Sequence, residues 1–129
     1  IEVIAGQYKG VNGSASTITP IHMLNAKLKS GAAADFSFPA TYNTALLVVE
    51  GAVTLHGNTV VPTDHFVLFK NEGEDIVVAA TEDAIVLVLS GQPINEPIAS
   101  HGPFVMNTRE ELIQAVEDFN NGRFGHLAD

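Results

Sequence analysis

Short apolar segments alternate with turn-forming residues from Ile1 to Gly91, at a spacing of about eight to twelve residues. The central pair covers residues 45–49 and 52–56 and meets at a tight Glu50-Gly51 turn. The first segment, ALLVV, is apolar throughout and too short for a helix, which predicts a strand buried on both faces. The second alternates in Val53-Thr54-Leu55-His56, as expected where one face of a strand meets water and leaves His56 exposed.

Similar segments surround this pair. In residues 22–28, His22, Leu24, Ala26 and Leu28 share one face, which predicts a strand with Leu24 and Leu28 buried. Residues 84–90, AIVLVLS, form a second run predicted to be buried on both faces, and residues 10–16 form a loop. The remaining predicted strands are 1–5, 34–38, 58–61, 65–70 and 76–80. Such a series predicts an all-β sandwich or barrel.

The last third of the chain follows a different pattern. Prolines at positions 93, 97 and 103 favour an extended arm over residues 92–103. A helix is predicted at about 108–121, because Thr108 and Glu111 form a capping box and Asn121-Gly122 can end the helix. We expect its apolar face to dock on this domain or on a neighbouring one; that face carries Leu112, Val116 and Phe119.

Composition excludes several classes of protein. The 129 residues suffice for one domain with a substantial core, and 46% are hydrophobic. A formal net charge of −9 repels phosphate backbones and argues against direct nucleic-acid binding. The chain has no cysteine, hence neither disulfide nor thiolate ligand, which is compatible with a cytoplasmic location. No apolar run approaches the length of a membrane span.

The C-terminal segments resemble a known family. GPFVMNTREE at 102–111 and DFNNGRFG at 118–125 are similar to the C-terminal signature of the pirin family, and segments such as YNTA at 42–45 and VEG at 49–51 agree with it. Pirins are two-domain cupins, and the resemblance covers only their second cupin. It implies an all-β, cupin-type jelly roll over 1–91, followed by the proline-rich arm and the single helix over 92–129.

The resemblance also implies where the family holds its metal. In the first cupin, three histidines and one glutamate bind a mononuclear iron-type centre. The corresponding positions in this chain are Ser37, Pro39, Asn43 and Val67, none of which can replace such a ligand. We therefore expect no metal and no cofactor in this chain, with iron or a similar divalent metal in an N-terminal cupin that has no counterpart here.

The histidines offer few alternatives. His22, His56, His65, His101 and His126 lack the short spacing of metal ligands. His65 shares strand parity with Val67 and Phe69, which directs it towards the barrel interior near the mouth, although a histidine bonded to backbone explains it as well. His22 fits either the rim or the core. Together with Tyr42 and Asn43, His65 forms the predicted small pocket, and no catalytic residue is assigned.

Three functions remain open. The first is the scaffold half of a metal-dependent bicupin of the quercetin 2,3-dioxygenase type, whose partner is the missing N-terminal cupin. The second is a protein-binding or regulatory pirin-like module, and the third is a stand-alone cupin that binds a small apolar ligand through Asn43 and His65. If the chain exists alone, an exposed helix face predicts a homodimer.

The N-terminus is consistent with the first function. Ile1-Glu2-Val3-Ile4 begins as though within a strand, which trimming of a longer chain would explain; a boundary chosen at that point explains it equally.

Overall fold

The computed structural model describes residues 1–128, which form two compact units, one over 1–93 and one from residue 94 onwards. The strands are β1 (Glu2–Ala5), β2 (Gln7–Tyr8), β3 (Val11–Asn12), β4 (Ile21–Leu28), β5 (Ala33–Ser37), β6 (Asn43–Glu50), β7 (Val53–Leu55), β8 (Thr59–Val61), β9 (Phe66–Leu68), β10 (Asp75–Ala80), β11 (Ala84–Gly91), β12 (Ala99–His101) and β13 (Phe104–Met106). The helix α1 covers Arg109–Asn120.

Two antiparallel sheets build the first unit. A five-stranded sheet has the order β1-β4-β11-β6-β9, and a four-stranded sheet has the order β5-β10-β7-β8. Alternate side chains of both sheets enter one apolar core, as the predicted all-β sandwich requires. Its largest fully buried members are Leu24, Phe36, Leu46, Val48, Val53, Val78, Val86 and Val88.

The strand over 22–28 is confirmed, since Leu24, Ala26 and Leu28 are buried in β4 and His22 is partly buried on the same face. The two runs predicted to be buried on both faces are only partly so. In β6, Leu47 is half-buried and Val49 is 47% exposed. In β11, buried residues alternate with half-buried ones. Both strands lie inside the five-stranded sheet, but the outer face of that sheet is not fully covered.

The chain changes sheet at Gly51. The sequence predicts that a tight turn at Glu50-Gly51 joins two neighbouring strands, yet β6 belongs to the five-stranded sheet and β7 to the four-stranded sheet. Gly51 has φ +75, and a Cβ at this residue would overlap the carbonyl oxygen of Asp83. Its own carbonyl accepts a hydrogen bond from Thr63 Oγ1 at 2.6 Å. Glycine is therefore required by both conformation and space.

Three predicted segments differ from the structure. The loop at 10–16 contains β3, which pairs with β2. The predicted strand 65–70 is shortened to Phe66–Leu68 in β9, although the His65 carbonyl and the Phe69 N–H still bond to β6 on either side of it. The arm over 92–103 is extended only to Ile98; β12 follows and pairs with β13 across the Gly102-Pro103 turn. Proline is compatible with a hairpin here because it occupies the turn and not the ladder.

The second unit contains this hairpin and α1. The helix begins as predicted, since the Glu111 N–H donates to Thr108 Oγ1 at 3.2 Å and the Thr108 hydroxyl donates to Glu111 Oε1 at 2.9 Å. Leu112 and Ala115 are its buried residues, and the helix packs on β12 and β13. Within residues 1–128, no helix has the length and apolar character needed to cross a membrane.

Two glycines with nearly equal backbone angles allow the Gly51 constraint to be tested. Gly57 has φ +77, and no atom outside its own neighbours lies within 4 Å of the point that a Cβ would occupy. Gly57→Ala should therefore lower the free energy of unfolding only by the cost of placing an alanine in the left-handed conformation, about 1–2 kcal/mol. Gly51→Ala adds the overlap with Asp83, and we expect a loss of roughly 3–5 kcal/mol. Urea unfolding monitored by circular dichroism measures both changes. Equal losses in the two variants would contradict the steric argument.

Candidate functional site

Phenylalanines occupy inward positions at the end of β5 and directly after it. Phe36 and Phe38 are 2% and 6% exposed, whereas Ser37 and Pro39 point outwards and are exposed. Because side chains alternate along a strand, Ser37 and Pro39, the two positions that the resemblance assigns to ligands, do not face the interior. A phenyl ring offers no lone pair to a metal, so the inner positions do not fit one either.

The other two assigned positions lead to the same result. Val67 is half-buried and packs against the apolar core, and Asn43 is exposed, with its Oδ1 accepting a hydrogen bond from Asn71 Nδ2 at 3.3 Å. Among residues 1–128, no three histidine, cysteine or carboxylate side chains converge as metal ligands would. The side chains of the described residues do not supply the three histidines and one carboxylate that such a metal centre requires.

A polar row does cross the inner face of the five-stranded sheet at one end of the sandwich. Ser90 of β11 lies opposite His22 of β4 on one side and opposite Thr44 of β6 on the other. The Thr44 and Ser90 hydroxyls are 2.7 Å apart, and these residues are only 7% and 3% exposed. Next to the apolar core, this hydrogen bond satisfies two hydroxyls that would otherwise be costly to bury.

His22 completes the row under two aromatic rings. Its Nδ1 accepts a hydrogen bond from the Gln7 backbone N–H at 3.3 Å, which places the proton of the neutral ring on Nε2. The ring centroid lies 5.2 Å from that of Phe38 and 6.3 Å from that of Tyr42. The sequence left His22 between rim and core, and the structure places it at this boundary, half-buried.

A small depression opens above the row. It encloses about 140 Å³, with Phe38, Thr44 and Phe69 towards the core and Lys70, Glu72 and Glu74 towards solvent. Tyr42 and His56 also contribute to its lining, and His56 is exposed as predicted. Ligand pockets commonly enclose about 300–1,000 Å³, so this mouth is too small for a flavonol-sized molecule.

Of the three residues predicted to form a pocket, only Tyr42 lines this depression. Asn43 lies beside Asn71, at the beginning of β6, and His65 lies near its far end, where the His65 carbonyl accepts the Val48 N–H. Five residues of strand separate Asn43 from Val48, which corresponds to about 16 Å. His65 is exposed, not directed inwards, and its Nδ1 donates to the Thr63 carbonyl at 2.9 Å.

Sequence reasoning missed the pair of hydroxyls. Thr44 lies next to an apolar run and Ser90 ends another, so each resembles an ordinary strand boundary. Only the antiparallel register of β6 and β11 brings the two side chains together. A polar residue at the last inward position of each of two strands is a weak signal that could have indicated the pair.

The opposite end of the first unit holds a second depression, of about 210 Å³. Asp83 contributes to its lining, and Oδ1 of Asp83 accepts the Ser30 N–H at 2.9 Å. This hydrogen bond, together with the Lys29 ammonium 3.4 Å from Oδ2, holds the pKa of Asp83 below its usual range. These exposed groups link the segment at 29–30 to the turn that contains Asp83, which is a structural role.

The three residues predicted to form the apolar face of the interaction helix differ in their exposure to solvent. Leu112 is 9% exposed and Val116 is half-buried, whereas Phe119 is 62% exposed. Phe119 lies 6.1 Å from the ring of Phe124, which in turn lies 5.9 Å from Phe104. A groove of about 490 Å³ follows the helix between the side chains of His101, Arg109, Leu112, Ile113, Val116 and Glu117.

Comparison with known proteins identifies the fold and the family. The family described as the pirin C-terminal cupin domain matches residues 23–125. The chain belongs to the pirin family. A pirin-like protein of Solanum lycopersicum is 35% identical over 97% of this chain, and Homo sapiens pirin is 31% identical over 97%. A crystal structure of quercetin 2,3-dioxygenase from Acinetobacter baumannii superposes with a TM-score of 0.88, at 39% identity over 98% of this chain.

This pirin domain is much shorter than the proteins it matches. The chain spans 44% of the tomato protein, 44% of human pirin and 44% of the Acinetobacter structure. The match therefore describes one domain of those relatives, and their remaining length lies outside the comparison.

The hydroxyl pair of this pirin domain gives a prediction about stability. Thr44→Val leaves the buried Ser90 hydroxyl without its partner, and we expect a loss of about 1–3 kcal/mol. Adding Ser90→Ala removes the orphaned group, so the double variant should lose less than the sum of the two single variants. Urea unfolding of all four proteins completes the cycle. Strict additivity would show that the two hydroxyls act independently.

Proposed function

We propose that this pirin C-terminal cupin domain is the structural half of a two-cupin oxidoreductase of the quercetin 2,3-dioxygenase type. The observation that supports the proposal is that Phe36, Phe38 and Val67, which offer no donor atoms, fill inward positions at β5 and β9 in a domain that keeps the family fold. A barrel filled by side chains is rigid and well suited to support a neighbour, and it leaves no space for substrate.

The chemistry then belongs to the preceding cupin domain. That domain would hold iron or a similar divalent metal, which supplies the site for dioxygen chemistry. The name of the Acinetobacter relative supports this reaction class, because that structure contains a counterpart of almost the whole chain within a protein more than twice as long. The partner of this domain is accordingly the first cupin of the same protein, in a cytoplasmic setting.

The arm and the helix take part in this support. Exposed apolar side chains remain on the second unit even after α1 packs on β12 and β13, among them Ile113 at 51% and Phe119 at 62%. Such residues favour docking of the helix on a neighbouring domain, or on a second copy when the first domain is lacking. A protein-binding or regulatory module, the second function that the sequence leaves open, would use the same surface.

The metal content and the quercetin turnover of the purified chain test whether the chemistry belongs to the preceding cupin domain. We expect the purified chain, expressed with iron, manganese, nickel and copper in excess, to carry well below one metal ion per chain by plasma mass spectrometry. It should consume no dioxygen with quercetin above the buffer rate. The physical reason is that the inner positions offer phenyl and isopropyl groups and no donor atoms.

The comparison protein is the same chain fused behind the part of the Acinetobacter dioxygenase that lies outside the match. That fusion should bind metal and oxidise quercetin. Stoichiometric metal with turnover in the isolated chain would place the active site here and overturn the proposal.

A further inference from the structure

The outer face of the five-stranded sheet is unusually apolar. We call this surface the outer apolar face and define it by Leu47, Val49, Phe66, Leu68, Leu87 and Leu89. The strand register makes it continuous: Leu47 of β6 lies opposite both Phe66 of β9 and Leu87 of β11. One step along, Ala45 joins Leu68 and Leu89 in the same way.

Several side chains of the outer apolar face are open to solvent. Leu68 is 71% exposed, Phe66 is 59% exposed and Val49 is 47% exposed, while Leu47, Leu87 and Leu89 are half-buried. Scattered exposed apolar residues are ordinary, but a contiguous group across three paired strands marks an interaction surface.

The other sheet provides an internal comparison. The outward positions of β5, β10 and β7 include Asp35, Ser37, Asp75 and Thr54. Val77 at 42% and Val60 at 66% are exposed among them. The outward positions of the four-stranded sheet therefore mix polar and apolar side chains. In the five-stranded sheet, the outward positions of β6, β9 and β11 are mostly apolar, whereas those of the neighbouring β4 include Asn25 and Lys27. The apolar surface is therefore confined to β6, β9 and β11, where it is continuous and suited to a covering layer.

The edge of the sheet strengthens this conclusion. β9 is an edge strand of three residues with both of its outward side chains apolar. An exposed apolar edge promotes aggregation unless another element covers it; besides a short length, which β9 has, charged residues or proline usually protect such edges. Residues 66–68, FVL, carry neither.

We propose that the outer apolar face is the docking surface for the first domain of the same polypeptide, which the pirin relatives contain beyond the matched 44%. The inference rests on the proposed function for the identity of this partner. Permanent interfaces within one assembly are more apolar than the rest of a protein surface, which suits this face. A second copy is a poorer occupant, because two chains of net charge −9 repel each other.

The isolated chain allows a first test with a matched pair of variants. Leu68→Asp places a carboxylate on the outer apolar face, and Val60→Asp does the same on β8, an edge strand of the other sheet with similar exposure. Binding of an environment-sensitive apolar dye should fall at least roughly twofold in Leu68→Asp and stay unchanged in Val60→Asp. Equal dye binding by all three proteins would overturn the proposal.

The fusion to the first domain of the Acinetobacter dioxygenase tests the occupant. Hydrogen exchange of peptides covering β6 and β9 should be at least about tenfold slower in the fusion than in the isolated chain. Leu68→Asp should remove this protection, and Val60→Asp should retain it. Unchanged exchange on fusion would overturn the inference, even where the fusion binds metal and oxidises quercetin.

The two proposals can therefore fail separately. Protection of β6 and β9 in a fusion without metal or turnover would support the docking surface and contradict the proposed function. A dimer of the isolated chain, seen by light scattering and dissolved by Leu68→Asp alone, would assign this face to a second copy and overturn the proposed occupant.

Discussion

The packing of two sheets through a single apolar core is the constraint on which the rest of the first unit depends. Phe36 and Val78 of the four-stranded sheet share this core with Leu24, Leu46 and Val88 of the five-stranded sheet. Close packing leaves each strand one choice of which alternate side chains point inwards. Once that choice is made, the remaining side chains of each strand point outwards, and core packing no longer restricts which residue types stand there.

This constraint explains the character of the barrel interior. A cupin that holds a metal needs donors on inward positions, and here the inward positions of β5 contribute phenyl rings to the core. Polar side chains enter only at the end of the sandwich, where Thr44 and Ser90 satisfy each other beside His22. The interior is consequently a packed core with a small polar rim.

The same constraint makes the two outer faces informative. The four-stranded sheet carries residues such as Asp35 and Asp75 on its outward positions, and the five-stranded sheet carries Leu47, Phe66 and Leu68. Since both sheets bury their inner faces in the same core, this difference does not arise from folding of the unit itself. The apolar outward positions of β6, β9 and β11 therefore mark a surface of this pirin domain that the folding of the unit alone does not require.

Much of this protein could be read from local patterns. Alternation identified most strands, and the capping box at Thr108 located the beginning of α1, because these signals depend on neighbours within a few residues. The tail motifs at 102–111 and 118–125 indicated the pirin family, which the comparison confirms. What the sequence determined by itself was therefore the class of fold, the family and the position of the helix.

Tertiary structure decided the features that depend on which strands become neighbours. The partition of β6 and β7 between two sheets, the Thr44–Ser90 pair and the separation of Asn43 from His65 all follow from long-range register. Long-range packing also decides which alternate side chains of residues 36–39 face the core, and it places Phe36 and Phe38 inside instead of Ser37 and Pro39. Local patterns cannot supply this information, because a strand shifted by one residue keeps its sequence but exchanges its two faces.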